Sequence, residues 1–229
     1  MLFRSRLEIG DDLSGCNSQI GGLVGYAGDG VILDGTQVVI TDDAQLIGGR
    51  HSNIGGIAGG FDSGSDHANE LKGNLNATLS GSAVISAESD AAFGSGSVGI
   101  GFASITSHAN QMVTHPNAKF NISMLGTSVL KVTGDQFGRI GGLVGTFDGY
   151  SNGTSATPFG VGSTASPFVT INIGDGAGSA PIIRGIGDSE YIGGGTGVLN
   201  NVQVAGEWLV KVHSGAKILS STFMITSGM

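Results

Sequence analysis

Hydrophobic and polar residues alternate along this chain in short runs, and the runs come in pairs joined by glycine-containing turns. "GVILDGTQVVITDDAQLIG" (30–48), "NLNATLSGSAVISAES" (74–89), "AKFNISMLGTSVLKVTGD" (118–135), "PFVTINIGDGAGSAPIIRGIGD" (167–188) and "VQVAGEWLVKVHSGAKILSSTFMITSG" (202–228) share this form. Asn121-Ile122-Ser123-Met124 and Val169-Thr170-Ile171-Asn172-Ile173 show a period of two, the mark of a strand with one buried face. No window carries apolar residues at i, i+3, i+4 and i+7 over three turns with good helix formers between them. The pattern predicts an all-β chain.

A hexapeptide punctuates these blocks. "IGGLVG" stands at 20–25 and again at 140–145, with "IGGIAG" at 54–59, "IGGGTG" at 192–197 and a degraded copy, "VGIGFA", at 98–103. Their starts step by 34, 44, 42 and 52 residues, an internal repeat with insertions. The first position is always β-branched: Ile20, Ile54, Val98, Ile140 and Ile192. The second is always glycine: Gly21, Gly55, Gly99, Gly141 and Gly193. Gly22, Gly56, Gly142 and Gly194 follow in four copies, and Gly25, Gly59, Gly145 and Gly197 close the same four. Gly-Asp precedes the first, fourth and fifth copies in "EIGD", "VTGD" and "GIGD", which is turn chemistry.

Glycine supplies 43 of 229 residues, well over twice the usual share of about 7%. Proline numbers only 4 and no Gly-X-Y period exists, so collagen is excluded. With 39% hydrophobic residues in β-branched clusters, the chain is no disordered linker either. Glycine at fixed repeat positions reads as a site for close backbone approach or for a bend. Read as one extended strand, Ile20–Gly25 would turn Ile20, Gly22 and Val24 to one side and Gly21, Leu23 and Gly25 to the other. The whole is expected to be one domain over 1–229, a right-handed parallel β-solenoid with inserted loops. In it Ile stacks on Ile and Gly on Gly at about 4.8 Å per coil.

The "GGLVG" core at Gly21–Gly25 and Gly141–Gly145, with Ile in front, resembles the GLUG motif of large bacterial and archaeal cell-surface and secreted proteins, adhesins among them. That resemblance implies a β-helical, extracellular, adhesive or structural segment, and it brings no catalytic residues. The chain departs from the family pattern in showing no export signal, anchor or second domain. "MLFRSRLEIGDD" has two arginines with no apolar stretch behind them and does not read as a signal peptide.

Candidate chemistry is sparse. Ten Lys and Arg against eighteen Asp and Glu leave a net charge of −8 and no basic stripe, so nucleic acid is not an expected partner. No run of about 18 apolar residues appears, so no membrane span is expected. "GSGSVG" (94–99) matches GxGxxG without a following helix, and no cofactor is expected from it. Asp62, Asp66, His67 and Glu70 gather in "FDSGSDHANE" but fit no known calcium loop, and read as a solvated loop rather than a metal site. The five histidines, His51, His67, His108, His115 and His213, form no HxH or HExxH pattern. Asp34, Asp42 and Asp43 read as turn residues rather than a catalytic set. Cys16, the single cysteine, has no partner for an internal disulfide. Sequons stand at Asn76, Asn121 and Asn152.

The expected function is therefore structural, without catalysis: a self-associating component of a cell envelope, sheath or surface fibre. The alternative is an adhesin stalk that binds glycans or host proteins, and a polysaccharide-cleaving enzyme ranks below both. An aromatic content of 6%, with Trp208 the single tryptophan, favours the structural reading, because sugar sites stack on exposed rings. "ILSSTFMITSGM" (218–229) has neither charge nor proline, and Phe223, Ile225 and Thr226 are the expected pairing edge.

Overall fold

In Lys119–Met124 the side chains of Phe120, Ile122 and Met124 are buried, while Lys119, Asn121 and Ser123 keep partial contact with solvent. The same alternation recurs one coil away in each direction, so inward residues meet their equivalents. Val38, Ala77, Ile122, Ile171 and Val210 form one such row across adjacent strands. Leu46, Ile85, Leu130, Ile183 and Ile218 form another. A row of this kind has no outer edge on its interior side, which makes every coil depend on its neighbours.

The computed structural model describes residues 2–3, 6–9, 18–64, 66–89, 96–108, 112–134, 137–149, 156–187 and 190–220. The described secondary structure is all strand, and each strand pairs in parallel with its counterpart one coil on. The expected parallel β-solenoid is the fold. A first face stacks Leu2–Phe3, Gln37–Ile40, Asn74–Leu79, Lys119–Met124, Val169–Ile173 and Trp208–Val212. A second stacks Arg6–Ile9, Gln45–Arg50, Val84–Ser89, Val129–Gly134, Ile182–Ile186 and Lys217–Ser220. The third holds Gln19–Gly21, Asn53–Gly55, Ser97–Gly99, Gly138–Gly141 and Glu190–Gly193, and the fourth Val24–Ala27, Ala58–Ser63, Phe102–Ser107, Val144–Asp148 and Thr196–Asn200. No helix among the described residues is long and apolar enough to cross a membrane.

The hexapeptides lie where the third face turns into the fourth. Ile20, Ile54, Val98, Ile140 and Ile192 form one row, and Gly21, Gly55, Gly99, Gly141 and Gly193 the next. The degraded copy at 98–103 thus stands in register with the better ones. The hexapeptide is not one extended strand, however. It is two short strands, and its third and fourth residues make a bend between them. The fourth residue is an exposed knob only at Leu23, which is 48% exposed; Ile57 and Leu143 are buried.

The fifth face is interrupted. Ile32–Asp34, Glu70–Lys72 and Val113–Thr114 stack on one another, while Thr157–Phe159 forms a separate ladder with Val202–Val204 among the described strands. Pro158 removes a backbone donor from that strand. Beside the break the core is aromatic: Phe159 meets Phe120, Phe147, Phe168 and Trp208, with ring centroids 5.2–5.9 Å apart. Cys16, the sequon at Asn152 and the expected pairing edge at Phe223, Ile225 and Thr226 lie outside the described residues.

Candidate functional site

The bend in each hexapeptide has a consequence outside the core. A Cβ built on Gly21, Gly55, Gly99, Gly141 or Gly193 would overlap the carbonyl oxygen of the fifth residue of its own hexapeptide. The sixth position is equally tight against the third face: a Cβ on Gly25 would lie 2.7 Å from the Gln19 oxygen, and one on Gly145 would lie 2.9 Å from the Arg139 oxygen. None of these glycines has a positive φ, so close approach is what excludes side chains here. The third and fourth faces therefore fold toward each other on the outer surface, over a floor of bare backbone. The repeat of this corner makes a trough along the solenoid.

Two rows of side chains wall the trough. From the third face come Gln19, Asn53, Ser97 and Arg139, each immediately before a motif Ile or Val. From the fourth come Tyr26, Gly60, Ser104 and Thr146, with Asp62, Thr106 and Asp148 in a second row. They enclose a cavity of about 280 Å³, to which His51 also contributes. The small residues Ser97 and Ser104 keep it open, while the space beside Gly60 is taken by the Gln19 carboxamide, whose Oε1 a Cβ there would overlap.

Part of this polar set is internally satisfied. Ser97 Oγ and Thr146 Oγ1 lie 2.8 Å apart across the trough, and Arg139 Nη1 donates to Thr146 Oγ1 at 3.5 Å. The Tyr26 hydroxyl donates to Asp62 Oδ2 at 3.1 Å, and Asn200 Nδ2 donates to Asp148 Oδ1 at 2.8 Å. Burial and the Asp62 carboxylate push the Tyr26 phenol above its ordinary value. Part is not satisfied. Gln19 Oε1, His51 Nδ1 and Arg139 Nε are buried with no hydrogen-bond partner among the described residues, and Asp62 Oδ1 has only an ion contact to His108 Nε2 at 3.3 Å. A buried polar atom without a partner costs about 1–3 kcal/mol, so these three, beside an Asp62 oxygen met only by His108, call for a ligand or water.

The residues singled out in the sequence distribute differently. Asp62, Asp66, His67 and Glu70 do not converge, and among the described residues no group of three or more His, Cys, Asp and Glu is placed to hold a metal. The stretch is part strand and part loop: Phe61–Ser63 is strand and Asn69 is fully buried, while Asp66 and His67 are exposed on irregular backbone. Its Oδ1 accepts from Val31 N and its Nδ2 donates to Asp62 O, both at 2.8 Å. Asp34 ends a strand, Asp42 and Asp43 form a turn, and none of the three lines the trough. Asn121 Nδ2 donates to Asn76 Oδ1 at 2.8 Å, so these two sequon asparagines form a ladder on the first face. Trp208 packs into the aromatic core against Phe159 rather than offering its face to solvent.

Glu70 belongs to a separate ion cluster on the fifth face, where its Oε2 accepts from Lys72 Nζ at 2.6 Å and His115 Nε2 at 2.9 Å. The Lys72 bond first, and the His115 bond second, hold its carboxyl below the ordinary 4.5. A pKa depressed by folding adds stability above the unfolded value and loses it as pH falls through the folded one. Melting temperature should therefore drop below about pH 4.5, and Glu70→Gln should make that acid limb shallower in a thermal melt series. An identical acid limb in the variant would show that the cluster contributes nothing. The effect is small, because all three side chains are partly exposed.

Compared with known proteins, the chain matches no family model, no curated protein and no solved structure. What fold and site define is a class: a parallel β-solenoid bearing a polar trough along one corner.

Proposed function

We propose that this chain is an extracellular solenoid scaffold that holds an extended, hydroxyl-rich polymer, a glycan strand, in the trough. The observation that carries this is the convergence of Gln19 Oε1, His51 Nδ1, Arg139 Nε and Asp62 Oδ1, buried and short of partners, in one open-ended cavity. The Gln19 and Asp62 oxygens need a donor, the Arg139 N–H needs an acceptor, and His51 Nδ1 takes either role with its tautomer. A hydroxyl is both. A charged polymer is disfavoured at either sign, since an anionic group would stand beside Asp62 and Asp148 and a cationic one beside Arg139. Tyr26, 53% exposed at the trough, supplies a ring for a sugar face. The likeness of the hexapeptides to the GLUG motif supports a surface or secreted setting.

The test is retention on immobilised neutral polysaccharides, with titration calorimetry on those that bind. Binding should fall at least tenfold in Ser104→Leu, which fills the trough, with the melt unchanged. If the wild-type chain is retained by none of them, the reading fails.

A second reading, self-association into a sheath or fibre, has its own support. Val210, Val212, Ile218 and Leu219, all on the last coil described, are exposed apolar residues. Stacking of a second copy there would cover them, and sedimentation velocity over a hundredfold range of concentration would show it.

A further inference from the structure

The trough repeats with the coils, and this sets a length scale for its ligand. We propose that it reads a pyranoside glycan in register with the solenoid, one sugar per coil over five coils, with aromatic platforms at its two ends. The inference rests on the glycan reading above and adds to it the size and direction of the bound chain.

The third-face row reads Gln19, Asn53, Ser97, Arg139 and Tyr191 from the first coil to the fifth. Opposite it run Tyr26, Gly60, Ser104, Thr146 and Val198. The cavity is lined by the first four coils, and the fifth continues both rows beyond it; each coil offers a side chain from the third face and, except at Gly60, one from the fourth, with successive coils about 4.8 Å apart. An extended pyranose chain advances by nearly that distance per residue and turns successive sugars over, so one sugar falls on each coil and every second sugar meets the walls with the same face. An extended peptide does not fit this repeat. It rises about 3.3 Å per residue and repeats its side-chain facing at about twice that, so it drifts out of step within two coils. Five coils span four steps, about 19 Å.

The ends differ from the middle. At the first coil stands Tyr26, and at the fifth stands Tyr191, 48% exposed, with Phe137 stacked on it at 6.3 Å and 14° between planes. Among the described residues these are the exposed rings of the third and fourth faces and their borders, and they bracket the hydrogen-bonding centre at Asn53, Ser97, Arg139 and Thr146. Rings at the ends stack on terminal sugars, while the centre addresses hydroxyls.

Calorimetry with cello-, xylo- and chito-oligosaccharides of one to eight units tests this. Affinity in at least one series should rise by at least tenfold between two and five units and level off beyond five. Tyr191→Ala should shift the plateau to about four units while leaving shorter ligands unaffected, and Tyr191→Phe, which keeps the ring, should restore it. Equal affinity from monosaccharide to octamer, or a plateau that Tyr191→Ala leaves in place, overturns the register while sparing the glycan reading. Failure of these ligands together with their parent polysaccharides overturns both. Tighter binding of extended decapeptides than of any sugar overturns both as well.

Discussion

Gly141→Val is expected to cost about 3 kcal/mol or more, at or beyond the upper end of what overpacking does, because the obstructing atoms are backbone. A Cβ at this position would overlap the Val144 oxygen, and it would lie 2.7 Å from Thr196 Cα and 2.8 Å from Gly197 N. The first contact is within the hexapeptide and the other two belong to the next coil, so relief in one direction worsens the other. In a chain of this size 1 kcal/mol moves the melting temperature by about 2–4 °C, which predicts a fall of roughly 10 °C. Leu23→Ala, in the first hexapeptide but with its side chain half in solvent, is the control and should move the melt by little. A Gly141→Val protein melting within 2 °C of the parent would mean that the corner is not held by backbone contact.

Phe159→Ala should cost about 3–5 kcal/mol, the usual range for deleting a buried aromatic ring. Phe159 is fully buried, with Phe147 and Phe168 at 5.2 Å, Phe120 at 5.4 Å and Trp208 at 5.9 Å. Its removal leaves a cavity that four rings on four separate strands or loops cannot all collapse into. Phe137→Ala makes the contrast. That ring is 44% exposed and touches Tyr191 alone among the described rings, so stability should hold while binding at the trough's far end weakens. Chemical denaturation read by circular dichroism separates the two, and equal losses would contradict the distinction between core ring and platform ring.

The sequence by itself determined the strands, the coil repeat and the register. Period-two alternation marks which residues of 119–124 or 169–173 face inward, and equal spacing of Ile and Gly in five hexapeptides puts like on like once strands stack in parallel. It also held an unread signal: Gln19, Asn53, Ser97, Arg139 and Tyr191, each directly before a motif residue, are all able to hydrogen-bond. Alternation could not say where a strand bends. A period of two fixes inside and outside along one strand, but the angle to the next strand is set by backbone contacts across the corner. Those contacts, between the glycine at the second position and the carbonyl of the fifth, appear only in three dimensions. So the tertiary structure alone decided that two outer surfaces close into a trough, that Asp62 leaves its sequence neighbours for Tyr26 and His108, and that Phe120, Phe147, Phe159, Phe168 and Trp208 share one cluster. Each brings together residues far apart in the chain. Their distances depend on how coils stack, which no local pattern encodes.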